Sequence, residues 1–320
     1  MATPGFNNPA YLVGQFGTPI WGVGNAPLPW TGNYFWVDEG NGSDGNTGGP
    51  SDPFATLTQA LSKCTSGNND CIFVNGSIHV TATVAWSKSK THMIGLSPPS
   101  QNSRSRIAIA NTAATSGAVS PLVNVTGTGC WFQNIEAFNG INQAATQVTW
   151  AEAAGENYYK NCNFIQTGNA TASAQAGSRA LTVGAAGSGE CLFEDCTIGG
   201  DTEVRATNAN ATLEFLGGSP RNIFKRCVFQ AYSTDASKTH ILIQSGGMDR
   251  YALFEQCTFN TLGTAMTVLC TNAGGSPGGN VIFNNSIAVG ASAIASTGNV
   301  FVNQISAAGA TTTYIGLLAT

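Results

Sequence analysis

The chain of 320 residues carries few charges: Asp, Glu, Lys and Arg make up 9% of it, and the formal net charge at pH 7 is −4. Its 13 basic residues do not cluster, which argues against nucleic-acid binding, because phosphate backbones are held by grouped Lys and Arg. No run approaches the roughly 20 apolar residues of a membrane span, and the first residues lack the pattern of a signal peptide. We therefore expect a protein that neither spans a membrane nor carries a cleaved export signal.

Residues 1–33 are rich in proline and glycine and show neither a strand nor a helix period. Proline and glycine at this density oppose regular structure, whereas large aromatic side chains are unfavourable in water. We predict an extended N-terminal arm that docks its aromatic residues, either on its own domain or on a neighbouring subunit. These residues are Phe6, Tyr11, Phe16, Trp21 and Trp30.

A strand, a loop and a short helix are predicted next. Residues 34–37 have the composition of a strand, and residues 38–52 are rich in Gly, Asn and Asp, as in a loop. Apolar residues at 54, 57, 60 and 61 fit one face of a helix over about 54–63, with proline near its start. Short strands separated by turns follow up to residue 109.

A short pattern then recurs: an aromatic residue, two mostly polar residues, often a cysteine, and an apolar residue two further on. A β-rich period near 30 residues is typical of a solenoid, in which each repeat buries its apolar face against its neighbours. We predict an all-β, right-handed, single-stranded parallel β-helix with three strands per coil over residues 34–305. The helix would cap its first coil, and residues 306–320 would add a closing strand. The aromatic anchors are Phe132, Tyr159, Phe193, Phe224, Phe254, Phe283 and a weaker Phe301.

The two polar residues of the pattern are predicted to form a corner. On an uninterrupted strand Phe193 and Cys196, three positions apart, would point to opposite faces. A turn at Glu194 and Asp195 lets both point inward. The second corner residue is mostly of a type that tolerates the left-handed conformation, with Arg226 and Gln256 as departures. The series is Asn134, Asn161, Asp195, Arg226, Gln256, Asn285 and Asn303.

The cysteines are interpreted as core residues. Four of the nine occupy one register of successive repeats, so they are predicted to be free thiols stacked inside the coil. They are Cys162, Cys196, Cys227 and Cys257. A bridge between Cys64 and Cys71 is left open.

No metal site is predicted, because the sequence has no CxxC or HxxxH spacing and His79, His92 and His240 lie far apart in it. No cofactor is predicted.

No catalytic residue is predicted. Glu194 and Glu255 share the first corner position, but Lys225 lies between them and would act as a salt-bridge partner. Asp201, Glu203 and Arg205 form a local acidic cluster on a predicted return loop. Two loop carboxylates at the separation that a glycosidase needs remain an open alternative. Asp249 and Arg250 lie on another predicted loop.

The segments at 34–37, 42–48 and 53–57, followed by the Phe-x-Asp-Cys-x-Ile repeats, resemble right-handed parallel β-helix proteins of the pectin-lyase-like superfamily. More narrowly, they resemble the bacteriophage versions found in tailspikes and in proteins that decorate the capsid surface. The resemblance covers about residues 34–305. It is specific for the fold and weak for function, because lyases, hydrolases, adhesins and virion parts share this coil.

Two functions follow from the resemblance. The first is a non-enzymatic capsid decoration or cement protein, made in the host cytoplasm and located on the virion surface. It would be a homotrimer whose arm docks on the major capsid protein. The second is a tailspike or another glycan-binding or depolymerising β-helix protein, with Tyr232 and Tyr251 available to stack on host surface sugars. We favour the first, because the chain combines an aromatic arm with a weakly charged coil.

Overall fold

The computed structural model describes residues 22–23, 26–27, 32–98, 100, 104–110, 119–184, 189–206, 210–272, 279–295 and 300–302. Within these ranges no helix combines the length and the apolar character needed to cross a bilayer. Two strands of the arm, β1 (Gly22–Val23) and β2 (Ala26–Pro27), pair antiparallel, although the sequence predicted no strand there. The five aromatic docking residues of the arm and the predicted closing strand at 306–320 lie outside the described residues.

Three parallel sheets make up the body of the protein. The ten-stranded sheet contains β3 (Tyr34–Asp38), β4 (Asp70–Asn75), β7 (Thr91–Gly95), β10 (Trp131–Gln133), β13 (Tyr158–Lys160), β16 (Leu192–Glu194), β19 (Asn222–Lys225), β22 (Tyr251–Glu255), β25 (Asn280–Asn284) and β27 (Val300–Val302). The eight-stranded sheet contains β5 (Ser77–Val80), β8 (Ser105–Ile109), β11 (Ile135–Phe138), β14 (Asn163–Ile165), β17 (Thr197–Arg205), β20 (Val228–Ser233), β23 (Thr258–Gly263) and β26 (Ile287–Val289). The seven-stranded sheet contains β6 (Val84–Trp86), β9 (Val123–Val125), β12 (Val148–Glu152), β15 (Arg179–Val183), β18 (Ala211–Phe215), β21 (Thr239–Ile243) and β24 (Cys270–Asn272).

The chain visits the three sheets in turn, and each strand pairs in parallel with its counterpart one coil later. Every coil bonds only to its neighbours, as in a solenoid. The predicted right-handed parallel β-helix with three strands per coil is therefore confirmed.

The aromatic anchors form a continuous stack in the core. From Phe132 to Phe283 successive rings lie 4.5 to 5.2 Å apart, with interplanar angles of 4 to 20°. This spacing follows the roughly 4.8 Å between paired strands, because the anchors are in register from coil to coil. At the N-terminal end, Trp86 and Trp150 both pack edge-on against Phe132.

Inside the same core lies a buried carboxyl group that the sequence analysis missed. Glu152 ends β12 and accepts hydrogen bonds from the Tyr159 hydroxyl, from Asn157 Nδ2 (2.9 Å) and from the main-chain N–H of Ala154 (2.9 Å). Burial raises the pKa of Glu152, although these hydrogen bonds oppose the shift. The only sequence sign of this network is the tyrosine at a position that the other described anchors fill with phenylalanine.

The predicted capping helix is present but shorter than expected. Helix α1 spans Leu57–Lys63 rather than 54–63, because Thr56 is extended and its hydroxyl accepts a hydrogen bond from the N–H of Gln59 (3.1 Å). Leu57 and Ala60 are buried in the main core together with Val37 of β3. A second short helix, α2 (Ala170–Ser173), lies in the connection between β14 and β15.

Candidate functional sites

The corner between the ten-stranded and eight-stranded sheets is formed as predicted. Its second residue has a positive φ of 49 to 56° in every described copy, including Arg226 and Gln256. The main-chain N–H of this residue donates to the carbonyl of the first corner residue in the next coil, for example Asn161 to Glu194 at 2.9 Å. The ladder of backbone hydrogen bonds thus continues through the corner. The described copies are Asn134, Asn161, Asp195, Arg226, Gln256 and Asn285.

Charged residues at the corners pair with each other. Arg226 contacts Glu194 (2.6 Å) and Asp195 (2.7 Å), and Lys225 contacts Glu255 (3.9 Å). Burial would raise the pKa of Glu194, but hydrogen bonds from Tyr158 and Arg226 outweigh it, so the pKa is lowered. A lowered pKa does not suit a general acid. These residues are explained as turn formers and surface ion pairs, as the sequence predicted.

The four cysteines of the predicted column lie buried in the coil, where they also make hydrogen bonds. Cys162, Cys196, Cys227 and Cys257 are buried, and each Sγ donates to the carbonyl of the aromatic anchor one coil earlier, at 3.3 to 3.5 Å. In the following coil Ser286 Oγ makes the equivalent bond to the Phe254 carbonyl, at 2.9 Å. The column therefore supplies a hydrogen-bond donor at each corner, besides filling space.

All nine cysteines are buried free thiols, including Cys64 and Cys71. Burial raises the pKa of the Cys64 thiol to about 12 and places that of Cys71 well above its ordinary value. The thiolate is the reactive form of cysteine, so neither residue is activated as a nucleophile.

The predicted acidic cluster of Asp201, Glu203 and Arg205 is not formed. These residues lie within strand β17 rather than on a loop, and the strand register shifts between Gly200 and Val204. This bulge leaves Asp201 exposed and Glu203 half-buried, while Arg205 is only 1% exposed. The guanidinium is thus withdrawn into the protein, away from the two carboxylates.

Arg205 belongs instead to a buried polar cluster. Its Nη1 donates to Thr212 Oγ1 (2.9 Å), which also contacts His240 Nδ1 (3.1 Å), and His240 Nε2 contacts Thr261 Oγ1 (3.0 Å). Burial, with a smaller effect of Arg179, lowers the pKa of Arg205 to about 9. Burial likewise lowers the pKa of His240 to about 3. These groups are enclosed and do not form a surface site.

A groove lies on the outer face of the eight-stranded sheet. Its volume is about 290 Å³ and it is open to solvent. We call it the Arg106 groove. Its lining includes Ser77, His79, Arg106, Ala108, Phe138 and Gly140. None of these residues was predicted to form a site.

Polar pairs hold the side chains of the Arg106 groove. Arg106 Nε donates to Glu136 Oε1 at 2.5 Å, and the guanidinium carbon lies 5.1 Å from the centre of the Phe138 ring. His79 Nδ1 lies 3.1 Å from Glu39 Oε2. Arg106 and Glu136 are register neighbours on adjacent strands, as are Ala108 and Phe138.

A second polar pair lies on the seven-stranded sheet. Arg179 Nε contacts Glu214 Oε2 at 2.9 Å, and Gln244 also donates to the Glu214 carboxylate. Both members of the ion pair are almost fully buried. A buried, paired carboxylate of this kind is a structural element rather than an open acid–base group.

Exposed apolar side chains gather at the C-terminal end of the eight-stranded sheet. Val228, Leu262, Ile287 and Val289 lie on β20, β23 and β26 and are 38 to 59% exposed. Val228 and Ile287 both align with Thr258, one coil to either side, on the outer face. We call these four residues the apolar stripe. The three strands carry no charged residue.

The remaining candidates do not converge on a site. Tyr232 and Tyr251 are half-buried on different sheets, and Asp249 pairs with its neighbour Arg250 at 3.1 Å. In the part of the chain that the structure describes, no three His, Cys, Asp or Glu residues are grouped as metal ligands.

No protein-family model and no curated protein sequence matches the chain. Solved structures do match. A pectin methylesterase from Aspergillus niger is 17% identical with a TM-score of 0.53, over 92% of this chain and 93% of its own. The pectate lyase Pel9A is 13% identical with a TM-score of 0.50, over 85% and 79%. A rhamnogalacturonan lyase is 14% identical with a TM-score of 0.53, over 80% and 68%. At these identities the matches show a parallel β-helix fold and leave the function open.

Proposed function

We propose that this protein is a non-enzymatic virion component, a capsid decoration protein that assembles with copies of itself. The apolar stripe carries the proposal. Exposed apolar side chains grouped on one face of a protein mark interaction surfaces, and the strands that carry this stripe contain no charge that would repel a second copy. A second copy of this chain offers the same uncharged surface, and it is present wherever the first copy is made. The location on a capsid and the trimeric state rest on the resemblance to phage β-helix proteins.

The distribution of carboxylates supports a non-enzymatic role over a depolymerase. All 17 acidic residues lie in the described ranges. Within those ranges, the side chains that make neither a hydrogen bond nor an ion pair are those of Glu156, Asp201 and Glu203. An inverting glycosidase needs a general acid with a raised pKa, facing a second carboxylate roughly 6.5 to 9.5 Å away. Asp201 and Glu203 are exposed or half-buried on a bulge, without the burial that creates such an acid.

The assembly is tested by placing a charge in the apolar stripe. We expect the full chain to be oligomeric in sedimentation velocity at tens of micromolar, and Ile287→Lys to shift it to monomer, because a lysine would be desolvated in the contact. Thr271→Lys, at the same end of the coil but on the seven-stranded sheet, is the matched control and should remain oligomeric. A monomeric wild-type chain, or an unchanged Ile287→Lys variant, would overturn the proposed contact.

The location is tested on purified virions of the phage that encodes the chain. Quantitative mass spectrometry should find a copy number matching the capsid sites; a few copies per particle would indicate a tail component instead. Deletion of residues 1–33 should abolish binding to capsids while the far-UV circular dichroism of the coil is retained. Undiminished binding would show that the arm is not the anchor.

The depolymerase alternative has its own test. The readout is the chain length of host polysaccharide incubated with the protein. We expect the wild-type chain and the double variant Asp201→Asn/Glu203→Gln to leave this length equally unchanged. If the wild-type chain shortens the polysaccharide and the double variant does not, the protein is an enzyme and the proposal is wrong.

A further inference from the structure

We propose that the Arg106 groove is a binding site for a neutral saccharide. Its shape follows from one small residue. Ala108 is in register with His79 on one side and with Phe138 on the other. Its methyl group therefore forms a floor between two larger side chains, each one strand spacing of about 4.8 Å away.

Arg106 is fixed in position but retains free donors. Its Nε is bound to Glu136, which is fully buried, and its guanidinium lies over the Phe138 ring. Neither Nη1 nor Nη2 has a hydrogen-bond partner among the described residues, and the side chain is 33% exposed. A guanidinium held by one edge presents its remaining N–H groups in a rigid fork. Such a fork suits two neighbouring hydroxyl oxygens.

The Phe138 ring is also positioned in advance. A Cβ atom at Gly140 would lie 2.3 Å from ring atom Cε1, and one at Gly168 would lie 2.4 Å from Cε2. The ring thus occupies space that exists only because both flanking residues are glycine. An immobilised aromatic ring beside polar groups offers apolar contact to the C–H groups of a sugar at little cost in conformational entropy.

The charges around the groove favour a neutral ligand. The charge of Arg106 is balanced by Glu136, and Glu39 faces the groove residue His79, whose ring and main-chain N–H both contact its carboxylate. No uncompensated positive charge remains for a phosphate or a uronate. The lining is too polar and too open for a lipid chain. Hydroxyl groups, by contrast, can accept hydrogen bonds from Arg106, which lines the groove.

This inference does not depend on the proposed assembly, because the groove lies at the N-terminal end of the sheet and the apolar stripe at the other. A decoration protein and a tail protein could each use it.

The test is saturation-transfer NMR on the full chain with three neutral tetrasaccharides, maltotetraose, cellotetraose and mannotetraose, and with tetragalacturonate as the acidic comparison. We expect millimolar binding of at least one neutral probe and none of the acidic one. Ala108→Trp fills the floor without changing the charge and should weaken that binding at least about tenfold. Arg106→Ala would leave the buried Glu136 without its partner, so Ala108→Trp is the principal variant.

Arg221→Ala is the control, because Arg221 is an exposed arginine paired with Glu190 elsewhere on the surface. It should bind like the wild-type chain. The proposal is overturned if no neutral probe binds at 10 mM, if only tetragalacturonate binds, or if Ala108→Trp binds as tightly as the wild-type chain.

Discussion

Gln256 adopts a left-handed conformation that glutamine seldom occupies. Its φ of 53° matches those of the Asn residues at equivalent corners, but its side chain cannot bond its own backbone as a shorter Asn side chain can. Arg226 has the same φ and gains ion pairs to Glu194 and Asp195 in return. Gln256 has no ion pair of this kind among the described residues.

We expect Gln256→Asn to raise the free energy of unfolding by about 0.5 to 1 kcal/mol, because asparagine is better suited to positive φ. Gln256→Val should lower it by about 1 to 2 kcal/mol, since a β-branched residue is strained there. Urea unfolding followed by circular dichroism measures both. Equal stabilities of the two variants would show that the corner conformation is not what limits stability at this position.

At the scale of the element, helix α1 depends on a carboxylate outside it. Asp44 accepts from the N–H groups of Ala55 (3.1 Å) and Thr56 (2.9 Å) and from the Thr56 hydroxyl (2.8 Å). Thr56 in turn caps the helix through Gln59. A loop residue therefore orients the cap of the helix that covers the first coil.

We expect Asp44→Ala to destabilise the N-terminal end by about 1 to 2 kcal/mol, the range for losing a helix cap and its charge-assisted hydrogen bonds. Hydrogen exchange should accelerate in residues 55–63 more than in the strands around Phe224. Asp52→Ala, in the same loop but bonded to Thr47, is the control and should leave the helix amides protected. Uniform acceleration along the chain would contradict a local role.

At the scale of the whole molecule, two buried histidines oppose folding in acid. Burial lowers the pKa of His92 to about 4 and that of His240 to about 3, against 6.5 for an unperturbed histidine. A group with a depressed pKa contributes stability that is present above the unfolded value and is lost as pH falls towards the folded value. Stability is therefore lost between about pH 6.5 and about pH 4 because of His92, and between about pH 6.5 and about pH 3 because of His240. Glu152 acts in the opposite direction, because its raised pKa costs stability as pH rises above about 4.5.

We expect the free energy of unfolding to fall by on the order of 2 kcal/mol between pH 6 and pH 5, from about one proton per histidine. The slope of the free energy of unfolding against pH gives the number of protons taken up on unfolding. In His240→Asn this number should be smaller by about one over the same pH interval, whatever the absolute stability of the variant. Urea titrations at several pH values provide the slopes. An unchanged slope would show that His240 is not protonated on unfolding.

The coil, its corners and the cysteine column were predictable because they repeat. Each depends on one register relation, such as Phe193 to Cys196, which the sequence displays several times. The Arg106 groove was not predictable in the same way. Arg106 and Glu136 lie 30 positions apart, close to one period, but β8 precedes the first aromatic anchor, so nothing aligned it with β11. Arg205 escaped prediction because the bulge in β17 reverses the direction of its side chain, and a bulge has no marker in the alternation of residues.

The tryptophans of this molecule are confined to one part of its axis. Trp36, Trp86, Trp131 and Trp150 lie in the described coils, and none of the six in the sequence follows residue 150. A solenoid can open coil by coil from an end, and the C-terminal coil has the weaker core, because the half-buried Ala288 occupies the core position that Phe229 and Phe259 fill in the two preceding coils. We expect far-UV circular dichroism to begin its decline at lower urea than tryptophan fluorescence does. Coincident transitions would instead indicate that all coils melt as one cooperative unit. Tryptophan emission therefore reports on the first half of the molecule and cannot register C-terminal unravelling.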